Sequence, residues 1–129
     1  MRLRSVTLIG VLLFLVLAGC AFDLAHVRYR TVEYVPSPEA QKSFVVGENI
    51  EITEGTCYSR TLRKGKTWKL TGKIAEGETY KSSEQIFTLE CSNVHEAFLV
   101  VANDSIVGYF LPVEKGFVRL SKPLKITMQ

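Results

Sequence analysis

The chain has 129 residues, 47% of them hydrophobic and 22% charged, with 16 basic against 13 acidic side chains and a formal charge of +3. That length accommodates one domain with a single modest core and excludes a multi-domain assembly. The charge surplus is small, and two of its arginines, Arg2 and Arg4, fall in the first four residues.

Those arginines open the first element, a positive stretch followed by Val6 to Val16, in which only Thr7 is polar. As a helix, Val6 to Ala18 would span only about 20 Å, short of the roughly 30 Å of bilayer hydrocarbon. The stretch ends in Leu17-Ala18-Gly19-Cys20. This resembles the lipobox of bacterial lipoproteins, whose small residues let the backbone enter signal peptidase II. The resemblance implies that residues 1–19 are removed and that Cys20 carries diacylglycerol on its sulfur, usually with a third acyl chain on its amine. Two or more chains make a stable anchor. It also implies, because Ala21 rather than aspartate follows the cysteine, placement in the outer membrane facing the periplasm; a single-membrane host would instead carry the domain on its outer face. The competing readings are a plain secretory signal with an incidental Cys20, or an uncleaved anchor.

Processing would change the composition. With Arg2 and Arg4 gone, 14 basic residues face 13 acidic ones and the formal charge falls to +1. In that compartment nucleic acid is not an expected partner. Cys57 and Cys91 remain as an even pair where oxidation is permitted, and a disulfide between them is expected. A metal site or a catalytic thiol is the weaker alternative, with no second histidine near either cysteine.

Residues 20–42 read as the lipidated amino terminus and a tether, with one strand over His26 to Val35 ended by Pro36-Ser37-Pro38. Residues 43–129 read as a single all-β domain. Phe44 to Thr53 is a Val- and Ile-rich run with Gly47-Glu48-Asn49 as a bend or bulge, and Thr56 to Leu62 is a second run. Lys66 to Ile74 alternates, which predicts Trp68, Leu70, Gly72 and Ile74 on one face and Thr67, Lys69, Thr71 and Lys73 on the other. Glu78 to Ser82 and Gln85 to Cys91 follow, the latter with Phe87, Leu89 and Cys91 on one face.

Ala97 to Leu111 carries the strongest pattern, two apolar runs flanking Asn103-Asp104, residues that tolerate the positive φ of a two-residue primed turn. That turn predicts Val101 opposite Ile106, Val100 opposite Val107, Leu99 opposite Gly108 and Phe98 opposite Tyr109. Phe117 to Leu120 and, after Pro123, Leu124 to Met128 complete six to nine short strands, the pattern of a small antiparallel barrel or sandwich. The order of hairpin, Gly108-Tyr109-Phe110, Pro112 and a short turn before Phe117-Val118 is similar to the end of bacterial SH3-like barrels, a resemblance covering about Glu78 to Leu120. An SH3-like barrel is therefore the favoured architecture.

Four features bear on function. Tyr58 to Lys73 contains Arg60, Arg63, Lys64, Lys66, Lys69 and Lys73 and no acidic residue, a candidate face for anionic headgroups, glycan phosphates or an acidic partner; the alternative is an ordinary solvated hairpin. His95 beside Glu96 is the only histidine–carboxylate neighbour suited to acid–base work. No nucleophile motif accompanies it, and no catalytic residue is assigned. Glu48, Glu51 and Glu54 are spaced to align on a helix, not a strand, so no metal site is expected. Alternation leaves Ile86, Tyr109 or Phe110, and Leu111 as candidates for an exposed docking edge. Together these predict a non-catalytic binding or scaffolding module, needing no cofactor beyond its covalent lipid. Its unidentified partner would be a protein or the cell wall. The alternative is an inhibitor or exclusion factor that blocks a hydrolase or receptor; a small periplasmic enzyme ranks last.

Overall fold

The computed structural model describes residues 27–38, 42–54 and 57–127. Cys20, the apolar segment before it and the first part of the expected tether lie outside the described residues. The fold is all-β, with no helix among the described residues. In chain order the strands are β1 (Arg30–Thr31), β2 (Val35–Pro36), β3 (Ser43–Val45), β4 (Ile50–Ile52), β5 (Arg60–Leu62), β6 (Thr67–Ile74), β7 (Gly77–Ser82), β8 (Thr88–Glu90), β9 (Val94–Glu96), β10 (Phe98–Ala102), β11 (Ser105–Leu111) and β12 (Gly116–Lys125). An antiparallel sheet runs β1-β12-β11-β10-β7-β6-β2, with β3 also on β6, and two separate hairpins, β4–β5 and β8–β9, lie beside it.

The sheet is a strongly curled half-barrel, and chain length dictates the curl. β1 pairs with β12 and β2 with β6, the two edges of the five-strand core of the sheet. Thr31 and Val35 are joined by at most about 14 Å of chain, whereas a flat sheet would set β1 and β2 six strand spacings apart, about 29 Å. The edges must therefore roll toward each other on the side that the amino-terminal segment crosses. On that side Val32 and Tyr34 pack against Ile74, Phe98, Val100, Phe110 and Phe117. Tyr34 stacks on Phe110 with ring centroids 4.7 Å apart. From Val27 onward, then, part of the segment expected to be a tether is structural.

The opposite face carries the larger core, in which Leu99, Val101, Ile106, Tyr109, Leu111, Val118 and Leu120 meet Phe44, Val46, Ile52, Leu62, Trp68 and Leu89. The β4–β5 and β8–β9 hairpins supply Ile52, Leu62 and Leu89 to it. Both faces of the sheet are thus covered, which consumes Tyr109, Phe110 and Leu111, three of the candidate docking residues; Ile86 alone of that set remains exposed.

Two bulges correct the expected alternation. The Asn103-Asp104 turn forms with φ of 51° and 59°, and Val101 faces Ile106. Beyond that pair the register slips by one, so that Val100 faces Gly108, Leu99 faces Tyr109 and Phe98 faces Phe110. The extra residue is Val107. Its insertion puts Ile106, Tyr109 and Leu111 in the larger core and Val107 and Phe110 in the smaller, matching apolar positions that strict alternation would divide differently. Gly108 is required there, since a Cβ would overlap the Val118 carbonyl and the Phe117 ring.

The second bulge lies between Leu70 and Gly72 on β6. The Thr71 carbonyl accepts hydrogen bonds from the Tyr34 hydroxyl and the Ser37 backbone, both at 2.9 Å, and its hydroxyl lies 2.8 Å from that of the buried Thr79. The bulge moves Ile74 into the smaller core while Trp68 and Leu70 stay with the larger. The clean alternation expected for Lys66 to Ile74 fails at that point. Pro123 likewise does not separate two strands: β12 runs through it, and the register against β11 jumps between Ile106–Leu124 and Gly108–Arg119, so residues 120–123 stand against the single residue Val107.

Candidate functional site

Cys57, just before β5, is disulfide-bonded to Cys91, just after β8, with Cα atoms 4.2 Å apart. The bond joins the two hairpins that lie outside the main sheet. Beside it the Tyr58 N–H donates to the Glu90 carbonyl at 2.8 Å, and Arg60 Nη1 stands 3.6 Å from Glu90 Oε1. The hairpins are fixed to the rest of the molecule at other points. Glu54 Oε2 accepts from the Ser121 N–H and hydroxyl at 3.1 and 3.3 Å, and His95 Nδ1 meets Glu114 Oε1 at 2.7 Å.

Between the stapled hairpin and the end of β7 lies a groove of about 530 Å³ lined by residues 59–63, Lys66, Trp68, Ser82 and residues 84–87. This volume is in the range of small-ligand and short-peptide sites. Five consecutive residues of the β5 segment line it. Successive side chains of a strand point to opposite faces, so a cavity touching all five runs along the strand's edge and not over one face. The other edge of β5 is occupied by β4.

The floor is aromatic and cationic. Phe87 is ringed by Trp68 at 5.3 Å, Tyr109 at 6.0 Å and the Arg60 guanidinium at 5.1 Å. Three donors in this cluster, Arg60 Nε, Trp68 Nε1 and the Tyr109 hydroxyl, are buried with no hydrogen-bond partner among the described residues. Burial pushes the Tyr109 hydroxyl far above the ordinary tyrosine range, with Glu54 adding to the shift and Arg60 opposing it. On the walls, Lys66 Nζ binds Glu84 Oε2 at 2.5 Å, while Arg63 has no acidic partner among the described residues. Ile86 stands 68% exposed at the rim.

The six-residue basic stretch is therefore divided. Arg60, Arg63 and Lys66 line the groove. Lys64 sits at the tight turn before β6, its N–H held by Asn49 Oδ1 at 2.8 Å. Lys69 lies directly opposite Lys81, whose ammonium sits 6.0 Å over Phe98 on the smaller-core face. Lys73 lies opposite Glu78, beyond the bulge and on the other face. Glu78 is bound by Lys42 at 2.7 Å, a hydrogen bond that raises the Lys42 pKa.

His95 pairs with Glu114 from the β11–β12 turn and not with its neighbour Glu96. Both side chains are largely buried, Glu114 Oε2 has no partner among the described residues, and the pair acts as a clasp between β9 and that turn. Among the described residues no three histidine, cysteine or acidic side chains stand together as a metal site, and no helix is long and apolar enough to cross a membrane.

Comparison with protein-family models, with curated proteins and with solved structures returns no match to this chain.

Proposed function

We propose that this protein is a lipid-anchored binding module of the bacterial cell envelope, held by Cys20 and engaging a protein or cell-wall partner through the groove beside β5. The lipobox-like Leu17-Ala18-Gly19-Cys20 carries the localisation. A disulfide between the two remaining cysteines suits an oxidising compartment and supports the same reading. The observation that carries binding is the groove itself, where three cations and an exposed isoleucine line a cavity beside Arg60 Nε and Trp68 Nε1, buried donors with no partner among the described residues.

Because the described fold begins at Val27, only residues 21–26 separate it from the anchor, about 20 Å of chain at full extension. In this reading the module works close against the membrane it is anchored to. The test is crosslinking and affinity capture of the lipidated protein from its native envelope, beside an Arg63→Ala/Lys66→Ala variant. The expected result is one specific partner that the variant loses. Identical partners for both proteins would remove the groove from the account.

A further inference from the structure

We infer that the groove takes an extended acidic peptide segment, which adds as a strand to the open edge of β5. The inference rests on the binding-module reading and specifies its ligand. The position of the groove is the first reason. Residues 59–63 border it along an edge where no backbone hydrogen bond joins residues 60–62 to any strand but β4 among the described residues. An edge of this kind pairs with another chain unless it is blocked, and edge addition is a common mode of peptide capture. From Ser59 to Arg63 the edge is about 13 Å long, room for four or five residues of an incoming strand.

Charge supplies the second reason. The groove offers Arg60, Arg63 and Lys66 against two carboxylates, Glu84, which Lys66 binds, and Glu90 just beyond the lining, 3.6 Å from Arg60. Arg63 is unopposed. Carboxylates on an added strand would meet these cations, and alternate apolar side chains would lie toward Ile86 and the Phe87–Trp68 floor. The unpartnered Trp68 Nε1 adds a donor in a residue only 3% exposed, on the lining of the groove.

A lipid headgroup would use the cations but leave the strand edge unpaired, so the peptide is the occupant that accounts for both features. Rigidity suits it as well. The Cys57–Cys91 bond and the Tyr58–Glu90 hydrogen bond hold the β5 segment, the first wall, in a fixed place, and Ser83 anchors the opposite wall through two bonds to the Thr67 carbonyl. A preformed groove spares the cost of ordering on binding.

The test uses the full lipidated chain in detergent micelles, equilibrated with a randomised pool of acetylated, amidated heptapeptides, the retained peptides being sequenced. The expected result is enrichment of Asp and Glu at alternate positions by threefold or more. Amide exchange should slow, when the retained peptides are added, at the alternate N–H groups of residues 60–62 that point away from β4. Arg63→Glu/Lys66→Glu should abolish the acidic enrichment, while Lys64→Glu/Lys69→Glu, the same charge change outside the groove, should preserve it. A retained pool with the input composition overturns the inference. So does acidic enrichment without slowed exchange, which would mean charge attraction alone. Loss of binding to phosphatidylglycerol vesicles in the charge-swapped variant, with no peptide enrichment in the parent, would assign the cations to the membrane. If envelope capture still returns one partner while the pool shows no enrichment, the module stands and the acidic-strand ligand falls.

Discussion

Tyr109 is fully buried, and its hydroxyl finds no hydrogen-bond partner among the described residues. A buried hydroxyl left unpaired costs about 1 to 3 kcal/mol relative to a satisfied one, so Tyr109→Phe, which keeps the ring against Phe87, is expected to leave stability unchanged or raise it by about 1 kcal/mol. Urea unfolding measures this, and a loss of more than about 1 kcal/mol would show that the hydroxyl has a partner. The raised pKa gives a second expectation. The folded state holds the Tyr109 proton more tightly than the unfolded chain, so its contribution is full below the unfolded value of about 10 and is lost as pH rises above that toward the folded value. Stability of the parent should fall above about pH 10, and Tyr109→Phe should lessen the slope. None of this was legible from the sequence, where Tyr109 reads as one of several candidates for exposure. Its burial depends on the single inserted residue Val107, which no local pattern announces. His95–Glu114 and Glu54–Ser121 escape sequence reading for a related reason: 19 and 67 positions separate the partners, and only the packing of the hairpins against the sheet brings them together.

Among the elements, the legible ones are those whose signal is local. Asn103-Asp104 announces its turn through positive φ, and Gly47-Glu48-Asn49 marks the bend between β3 and β4. What alternation could not show is where it breaks. The Thr71 bulge exists because Tyr34 and Ser37, more than thirty residues earlier, bind its carbonyl, and it is this bulge that sends Lys69 and Lys73 to different faces. Tyr34 is correspondingly structural. Tyr34→Ala removes its stacking on Phe110 and its bond to Thr71, and thermal or chemical unfolding should show a loss of about 2 to 3 kcal/mol; an unchanged midpoint would return residues 27–36 to the role of a tether. The disulfide ties the β4–β5 hairpin to β8–β9, closing a loop with a sequence separation of 34. Chain entropy then predicts that Cys57→Ala/Cys91→Ala costs about 3 to 4 kcal/mol, measured by denaturant unfolding under oxidising conditions. A cost below about 1 kcal/mol would show that the hairpins hold without it.

On the scale of the whole molecule, the curled sheet is the scaffold and the groove lies at its margin. One layer of core fills the side crossed by the amino-terminal segment, and a thicker one lies under the two stapled hairpins. The all-β class and the pairing of Cys57 with Cys91 could be read from strand-like runs, turn residues and cysteine count. The groove could not, because it is made by two segments, residues 59–63 and 82–87, that meet only after β6 and β7 pair. Of the basic stretch, Arg60, Arg63 and Lys66 are brought together and Lys64, Lys69 and Lys73 are not.

The proposed lipid anchor on Cys20 underlies the proposed compartment, the mature charge and the distance from the membrane. It is tested most directly by feeding an alkyne fatty acid to cells that express the full chain and following label on the protein. The account predicts label on the parent and none on Cys20→Ala, which should also keep its amino-terminal segment. Label that persists in Cys20→Ala, or a parent that is processed and never labelled, would contradict it.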